Sequence, residues 1–539
     1  MRLFSMAVGV ALIGAGCGSD GGARDATDAA DAVEDGVPDD VPDSDDGSDA
    51  LDVPEVTVPT HCLGPTGAEA DPSATLTDPL GVASVTIDDR SACHRHYVLS
   101  STATRRDNLP ASPRAIDEAE GAPTVRTGND LFDALHALAL AEVGEASVAQ
   151  IADGAFDQGR PQACGAAGCF ETGRKWTWVW TRDTSFAIDL GLAAMDPARA
   201  ADSLLFKVSA RRDGQGAADE RQIVQDTGSG GSWPVSSDRV VWALGAEAVL
   251  AQLDDPARAS FRDAAWAALK GTVEKDRAVV YDATTGLYRG EQSFLDWREQ
   301  SYPAWTSQDV NDIAGSRALS TNCLHLRALE IAAALGDEVG DGTRAATYRG
   351  WADALRTAIR ARLWLEADGQ FATFMPSYLD ATPSRRFDLL GSALAILGGV
   401  ATPEQARRML SGYPMYGPGA PVIWPEQQQT AIYHNRAEWP FVDAYWLRAA
   451  KLVGHDAVAT RMVKALVRGA ALNLSNMENL EAKTGSPYVD DGPWSGPVVS
   501  SQRQLWSIGG YLSMVHETLF GLEASRAGLA VRPYLTRAR

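Results

Sequence analysis

The sequence predicts a mainly α fold, an (α/α)6 six-hairpin barrel with a small β-rich N-terminal lead-in, and three observations carry that expectation. Apolar residues recur at helical spacing from Leu131 onward, first as Leu131, Leu135, Leu138, Ala139 and Val143 and then in run after run to the C-terminus. These runs make about a dozen helices joined by Gly-, Pro- and Trp-rich loops, a number that fits six helical hairpins closed in a ring. No fixed-period sequence repeat is visible, which disfavours an α-solenoid.

Taken in chain order, residues 1–17 read as an export signal: Arg2, an apolar stretch from Met6 to Ile13, then Gly14, Ala15 and Gly16 before Cys17. The apolar stretch is too short to span a membrane, which needs roughly 20 residues. The small residues leading into Cys17 resemble the cleavage box of bacterial lipoproteins. That resemblance implies a lipidated Cys17, a membrane partner through the acyl anchor, and a place in the periplasm or on the outer membrane or cell surface. Residues 18–60 form an acidic linker with no aromatic residue, predicted to be disordered because it has nothing with which to build a core. This linker holds fourteen Asp and Glu against the single Arg24, more than half of the net charge of -23. The remainder is mildly acidic, and without a Lys/Arg-rich run it lacks the face that nucleic acid requires.

Residues 61–125 read as the β-rich lead-in, with strand-like segments at 83–87 and 96–100, and residues 126–539 as the helical barrel. Helices are expected at 184–195, 198–211, 238–253, 257–275, 317–335, 343–365, 386–397, 403–410, 438–453, 456–473 and 501–520, besides the one that begins near Leu131. Of the six cysteines, Cys164 and Cys169 flank a flexible Gly-Ala-Ala-Gly loop suited to a small disulfide ring, and Cys62 and Cys93 are a second candidate pair. Cys323 lies in an apolar helical run and is expected to be a buried thiol. With no CxxC or HxxxH spacing, neither a metal site nor a cofactor is expected.

In such a ring the loops at one end converge on a cavity, and four aromatic and charged segments stand out as its lining. The first is Trp176-Thr177-Trp178-Val179-Trp180-Thr181-Arg182-Asp183, which ends at a helix start. There Asp183 is favoured by the helix dipole, while Arg182 offers a planar fork of donors to hydroxyls. The motif Trp-Thr-Arg-Asp resembles Trp-x-Arg-Asp of the glucoamylase-like six-hairpin glycosidases, which implies that Arg182 and Asp183 grip the terminal sugar, with Trp180 beside them. The second segment, 286–303, places Asp296, Trp297 and Glu299 close together, the surroundings that a general acid requires. Ser293-Phe294-Leu295-Asp296 is similar to the acid region of the family of processing α-glucosidases and mannosylglycerate hydrolases. That similarity implies Asp296 as the group protonating the leaving oxygen; Glu299 is the rival, closer to the glucoamylase arrangement of a Glu near a Trp, and Trp297 is a candidate sugar contact.

The third segment, Met477-Glu478-Asn479-Leu480-Glu481-Ala482-Lys483-Thr484-Gly485, resembles the Glu-Asn-Tyr-x-x-x-Thr-Gly stretch of the same family and implies Glu478 as general base. The fourth, Tyr433-His434-Asn435-Arg436-Ala437-Glu438-Trp439, is similar to a cavity wall of six-hairpin sugar enzymes and makes His434, Asn435 and Trp439 substrate contacts. Trp233, after a glycine run that is not a phosphate loop, is a further stacking platform.

The expected function is a glycoside hydrolase acting on α-linked glucosides or similar oligosaccharides, with Asp296 and Glu478 as an inverting pair of carboxyl groups. Two alternatives share the residues: a polysaccharide lyase using Tyr433, His434 and Asn435, and a non-catalytic glycan-binding surface lipoprotein.

Overall fold

The computed structural model describes residues 75–106, 108–209, 221–224, 235–377, 382–525 and 528–535. The chain divides into a unit from Met1 to Val58 and a unit from Pro59 to Arg539, and every described residue belongs to the second. Cys17, Cys62 and Trp233 lie outside the described residues, as do the signal and the acidic linker.

Four antiparallel strands open the described chain: β1 (Thr75–Asp78), β2 (Gly81–Ile87), β3 (His96–Ser101) and β4 (Arg114–Asp117), in the order β1-β2-β3-β4. Val85 pairs with Leu99, and Tyr97 with Ile116. Alternation puts Ala83, Val85, Tyr97, Leu99 and Ile116 on the buried face, as a half-covered sheet requires. Arg105 then donates to the carbonyls of Leu472 and Asn473, fastening this lead-in to the end of a barrel helix.

Among the described residues the barrel follows as twelve main helical runs. The odd-numbered ones are α1 (Asp130–Ala146), α3 (Pro197–Leu205), α5 (Ala257–Val279), α7 (Gly342–Leu363), α9 (Pro403–Gly412) and α11 (Asp456–Asn473). The even-numbered ones are α2 (181–195), α4 (Asp238–Gln252), α6 (Leu319–Glu338), α8 (Leu389–Leu397), α10 (Pro440–Val453) and α12 (505–519). Both α2 and α12 contain a π-helical turn, at Ile188–Leu192 and Met514–Leu519. Each even helix packs on the next, and α12 packs back on α2, so these six close an inner ring with the odd helices outside it.

Burial follows this layering. On α7 the buried residues are Ala345, Tyr348, Ala352, Leu355, Ile359 and Leu363, a single stripe three or four residues apart. On α8 nearly every residue is buried, as befits a helix enclosed on all sides. Helix starts carry their expected chemistry: Asn129, Asp196 and Asp388 cap α1, α3 and α8, and Thr402 with Gln405 forms a capping box on α9. The seam between α2 and α12 is tight. A Cβ on Gly509 would lie 2.8 Å from the Ala187 carbonyl oxygen, so only glycine lets these helices approach so closely.

The predicted helices are all present, with shifted ends. The runs expected to begin at Arg317, Arg386 and Glu438 begin at Leu319, Leu389 and Pro440, because two-residue strands occupy Arg317–Ala318, Phe387–Asp388 and Ala437–Glu438. These strands pair with Phe374–Met375, Ile423–Trp424 and Leu480–Glu481 in turn. Successive loops at the inner-helix N-termini are thereby stitched to one another around the rim. Cys164 and Cys169 are disulfide-bonded, Cys93 is in a disulfide, and Cys323 is a buried free thiol.

Candidate active site

The loops that enter the inner helices bring Trp176, Trp180, Arg182, Asp183, Phe294, Asp296, Trp297, Tyr433, His434, Trp439, Glu478 and Trp506 around one pocket of about 70 Å³. Its floor is aromatic. Phe441 stacks on Trp506 with ring centres 4.1 Å apart, and Phe294 meets His434, Trp439 and Phe441 edge-on at 5.2–5.4 Å.

Phe294 has φ 58°, in the left-handed region that a bulky residue rarely adopts. The turn is closed by the Asp296 N–H donating to the Phe294 carbonyl at 2.9 Å, and it raises Asp296 into the pocket while Phe294 stays buried beneath. Across the turn, the Arg182 guanidinium lies 3.4 Å from each of Asp183, Asp238 and Asp296. Asp183 and Asp238 sit in the first turns of α2 and α4, where the helix dipole favours their charge. One cation therefore organises three carboxyl groups on three segments. Gln504 donates to Asp183 at 3.3 Å from the seam side.

His434 is buried, and burial together with the Arg182 charge holds its imidazole well below the usual range, so it is neutral. Neither of its ring nitrogens has a hydrogen-bond partner among the described residues. Its backbone N–H donates to Gln300 at 2.7 Å, which ties this loop to the short helix Arg298–Ser301.

Glu478 is buried opposite. Its Oε1 accepts from the Trp176 indole and the Tyr433 hydroxyl, each at 3.0 Å, and its Oε2 accepts from the Ser501 N–H at 3.0 Å. Burial pushes this carboxyl up to about 7 against the opposing effect of the three donors, and Asp296 adds to the rise.

Trp180, Arg182, Asp183, Asp296, Trp297, His434, Trp439 and Glu478 thus come together as the sequence suggests. Two other residues do not. Glu299 is exposed in the first turn of Arg298–Ser301 and does not line the pocket. A four-residue helix following Trp297 turns Glu299 outward, while its neighbour Arg298 grips the buried Glu291 at 2.8 Å. Asn435 is buried but faces away. Its amide accepts from the Gln427 N–H and donates to the Gln427 and Thr430 carbonyls, holding a turn, because consecutive residues cannot all point into one cavity. Trp176, Tyr433, Phe294 and Trp506 line the pocket beyond the expected set. The first three lay within motifs already singled out; Trp506 carried no signal of its own. A larger groove of about 920 Å³ lies between Thr75–Leu80 and α11, but its carboxyl group, Asp78, is occupied by Arg468 at 2.6 Å.

Among solved structures the chain is similar to the GH63 mannosylglycerate hydrolase of Thermus thermophilus. The glucose complex of that enzyme is 16% identical at a TM-score of 0.50, covering 71% of this chain and 99% of that one. Its complex with Tris and D-glycerate is also 16% identical at 0.50, covering 71% and 100%. What this chain and that enzyme share is the fold, a mainly α (α/α)6 barrel. No protein-family model matches the chain, and no curated protein does. In the six-hairpin barrel described above, the pocket occupies the end where the N-termini of the inner helices meet the stitched loops.

Proposed function

We propose that the chain is a glycoside hydrolase of inverting type, acting on α-linked glucosides or similar oligosaccharides. The observation that carries the proposal is that Asp296 and Glu478 enter one aromatic-walled pocket from different loops, each supported differently. Asp296 is solvent-touched and flanked by Arg182 and His434, whereas Glu478 is buried and held by three donors.

In the reaction proposed, Glu478 takes a proton from a water whose oxygen bonds to the anomeric carbon. The bond from that carbon to the glycosidic oxygen breaks, its electron pair stays on the oxygen, and Asp296 supplies the proton. Inversion requires room for that water, so the carboxyl groups should stand roughly 6.5–9.5 Å apart. Trp180 and Trp297 offer faces for a sugar ring, with the buried Trp439 in the floor of the pocket, and Arg182, Asp183 and His434 offer polar contacts to its hydroxyls.

The test is a screen of the purified protein on α- and β-linked oligosaccharides, followed by Glu478→Gln on the best substrate and on the matching glycosyl fluoride. Loss of both activities, with azide yielding an inverted glycosyl azide, supports the base assignment; full activity sinks it. A lyase would need Tyr433, His434 and Asn435 on one substrate atom, yet the Asn435 amide is committed to Gln427 and Thr430.

For location, we propose an exported lipoprotein anchored through Cys17, with residues 18–60 as tether. Cys17→Ser should move the protein from the membrane to the soluble fraction; a soluble wild type would rule the anchor out.

A further inference from the structure

The two oxygens of Glu478 are not equivalent. Among the described residues Oε1 accepts two hydrogen bonds, from the Tyr433 hydroxyl and the Trp176 indole at 3.0 Å each, while Oε2 accepts one, from the Ser501 N–H. A carboxylate oxygen has two lone-pair directions, so Oε1 is filled and Oε2 keeps one direction open. We propose that Tyr433 is a positioning residue of the hydrolysis: with Trp176 it fixes Oε1, so that Oε2 alone takes the proton of the attacking water. The proposal rests on the glycosidase reading of the pocket.

Both donors are suited to this task. The indole N–H can only donate. Burial and the adjoining Glu478 push the Tyr433 phenol well above its ordinary range, so it keeps its proton and acts as a donor, not as a base. The three donors come from three different rim loops, 147–180, 413–439 and 474–504, the last being the loop of Glu478 itself, so two of the three hydrogen bonds tie the carboxyl group to other loops. The aromatic contact between Tyr433 and Trp297, 4.5 Å between ring centres, and the Trp439 indole donating to the Tyr433 carbonyl at 2.8 Å hold the phenol in turn.

The ionisable groups facing Glu478 across the pocket are Asp296 on the 280–318 loop and Asp183 and Arg182 at the start of α2, with neutral His434 beside Tyr433. On its own loop Glu481 is turned away to Arg436 at 2.7 Å. Burial already raises Glu478 to about 7, and each donor opposes that rise. Removing the Tyr433 hydroxyl leaves burial less opposed, and the carboxyl must then titrate at higher pH.

The experiment needs no substrate. Near-ultraviolet difference absorbance of the purified full chain follows Trp176, whose indole is bonded to the titrating carboxyl. The wild type should show a transition near pH 7 that is absent in Glu478→Gln and moved upward by about one pH unit in Tyr433→Phe. Circular dichroism checks that Tyr433→Phe, which loses only a hydroxyl, is folded. On the substrate found by screening, the same variant should lose kcat at pH 6 and regain it at alkaline pH, with KM unchanged within about twofold. Should Tyr433→Phe fail to fold, Trp176→Phe must shift the acid limb of kcat the same way. An unmoved transition, or a changed KM with an unmoved limb, overturns the role. A shifted transition in a protein that turns over no glycoside leaves the hold on Glu478 standing and overturns the hydrolysis, so the two failures are distinguishable.

Discussion

Nε2 of His434 stands 3.8 Å from Oδ1 of Asp296, inside a buried aromatic surround that keeps the imidazole uncharged. The pair is therefore a neutral ring beside a carboxyl group and not a salt bridge. His434→Asn should lower kcat/KM, by about 10-fold or more, while the limbs of its pH profile stay where the wild type has them. A limb that disappears with His434 would show that the imidazole titrates during turnover.

Asp296→Asn should cost about 10²- to 10⁴-fold on glycosides with poor leaving groups and spare glycosyl fluorides, whose leaving group needs no proton. Glu299→Gln, altering an exposed residue outside the pocket, should stay within about twofold of wild type. If the two variants exchange these behaviours, the proton comes from Glu299 and the loop closes differently over substrate.

Arg182→Ala should abolish activity and also lower Tm. It leaves Asp183, Asp238 and Asp296 facing one another without the cation they share, a loss on the order of 3–5 kcal/mol for a buried ion pair broken from one side. Adding Asp238→Asn should return part of the stability but none of the activity. Thermal melts of both variants and their kcat/KM values decide this; an unchanged Tm in Arg182→Ala would mean the three contacts carry no net stability.

Stability should fall as pH rises from 6.5 to 8.5. Burial holds Glu478 at about 7 and Glu291 at about 8, and burial together with their mutual proximity raises the Glu438–Asp443 pair, all above the ordinary range of carboxyl groups in an unfolded chain. A folded-state value raised in this way stabilises fully below the unfolded value, and that stabilisation is lost as pH climbs through the folded one. The buried His434 and His325, whose values are lowered, act in the opposite sense only below about 6.5. Calorimetric Tm should therefore be higher at pH 6.5 than at 8.5 by about 2–6 °C, and Glu291→Gln should flatten the slope. A rising Tm over this interval would refute the assignment.

The ring itself was legible because helical periodicity is a local property: the run from Leu131 and the stripe on α7 identify themselves without knowledge of their neighbours. Short rim strands such as Arg317–Ala318 were not, since two residues carry no period and exist only through a partner almost 60 positions away. The same distinction divides the site. Asp296 and Glu478, which line the pocket, were singled out through the residues flanking them, but what flanks Asn435 in sequence does not tell that Arg436 turns the chain at φ 56° and leaves the amide facing its own loop. Tyr433 and Trp176 meet Glu478 across 45 and 302 positions, separations that no local reading bridges.

The tight seam at Gly509 and Ala187 also has a temporal meaning. As the chain leaves the ribosome, α2 is made long before α12, and Asp183 must wait for a neighbour 321 positions later before Gln504 can reach it. Until then α2 lacks the neighbour that α12 provides, an interval in which large domains of distant pairing are prone to aggregate. A chain cut before Leu505 would remain in that state, with both carboxyl groups synthesised and no closed vessel around them.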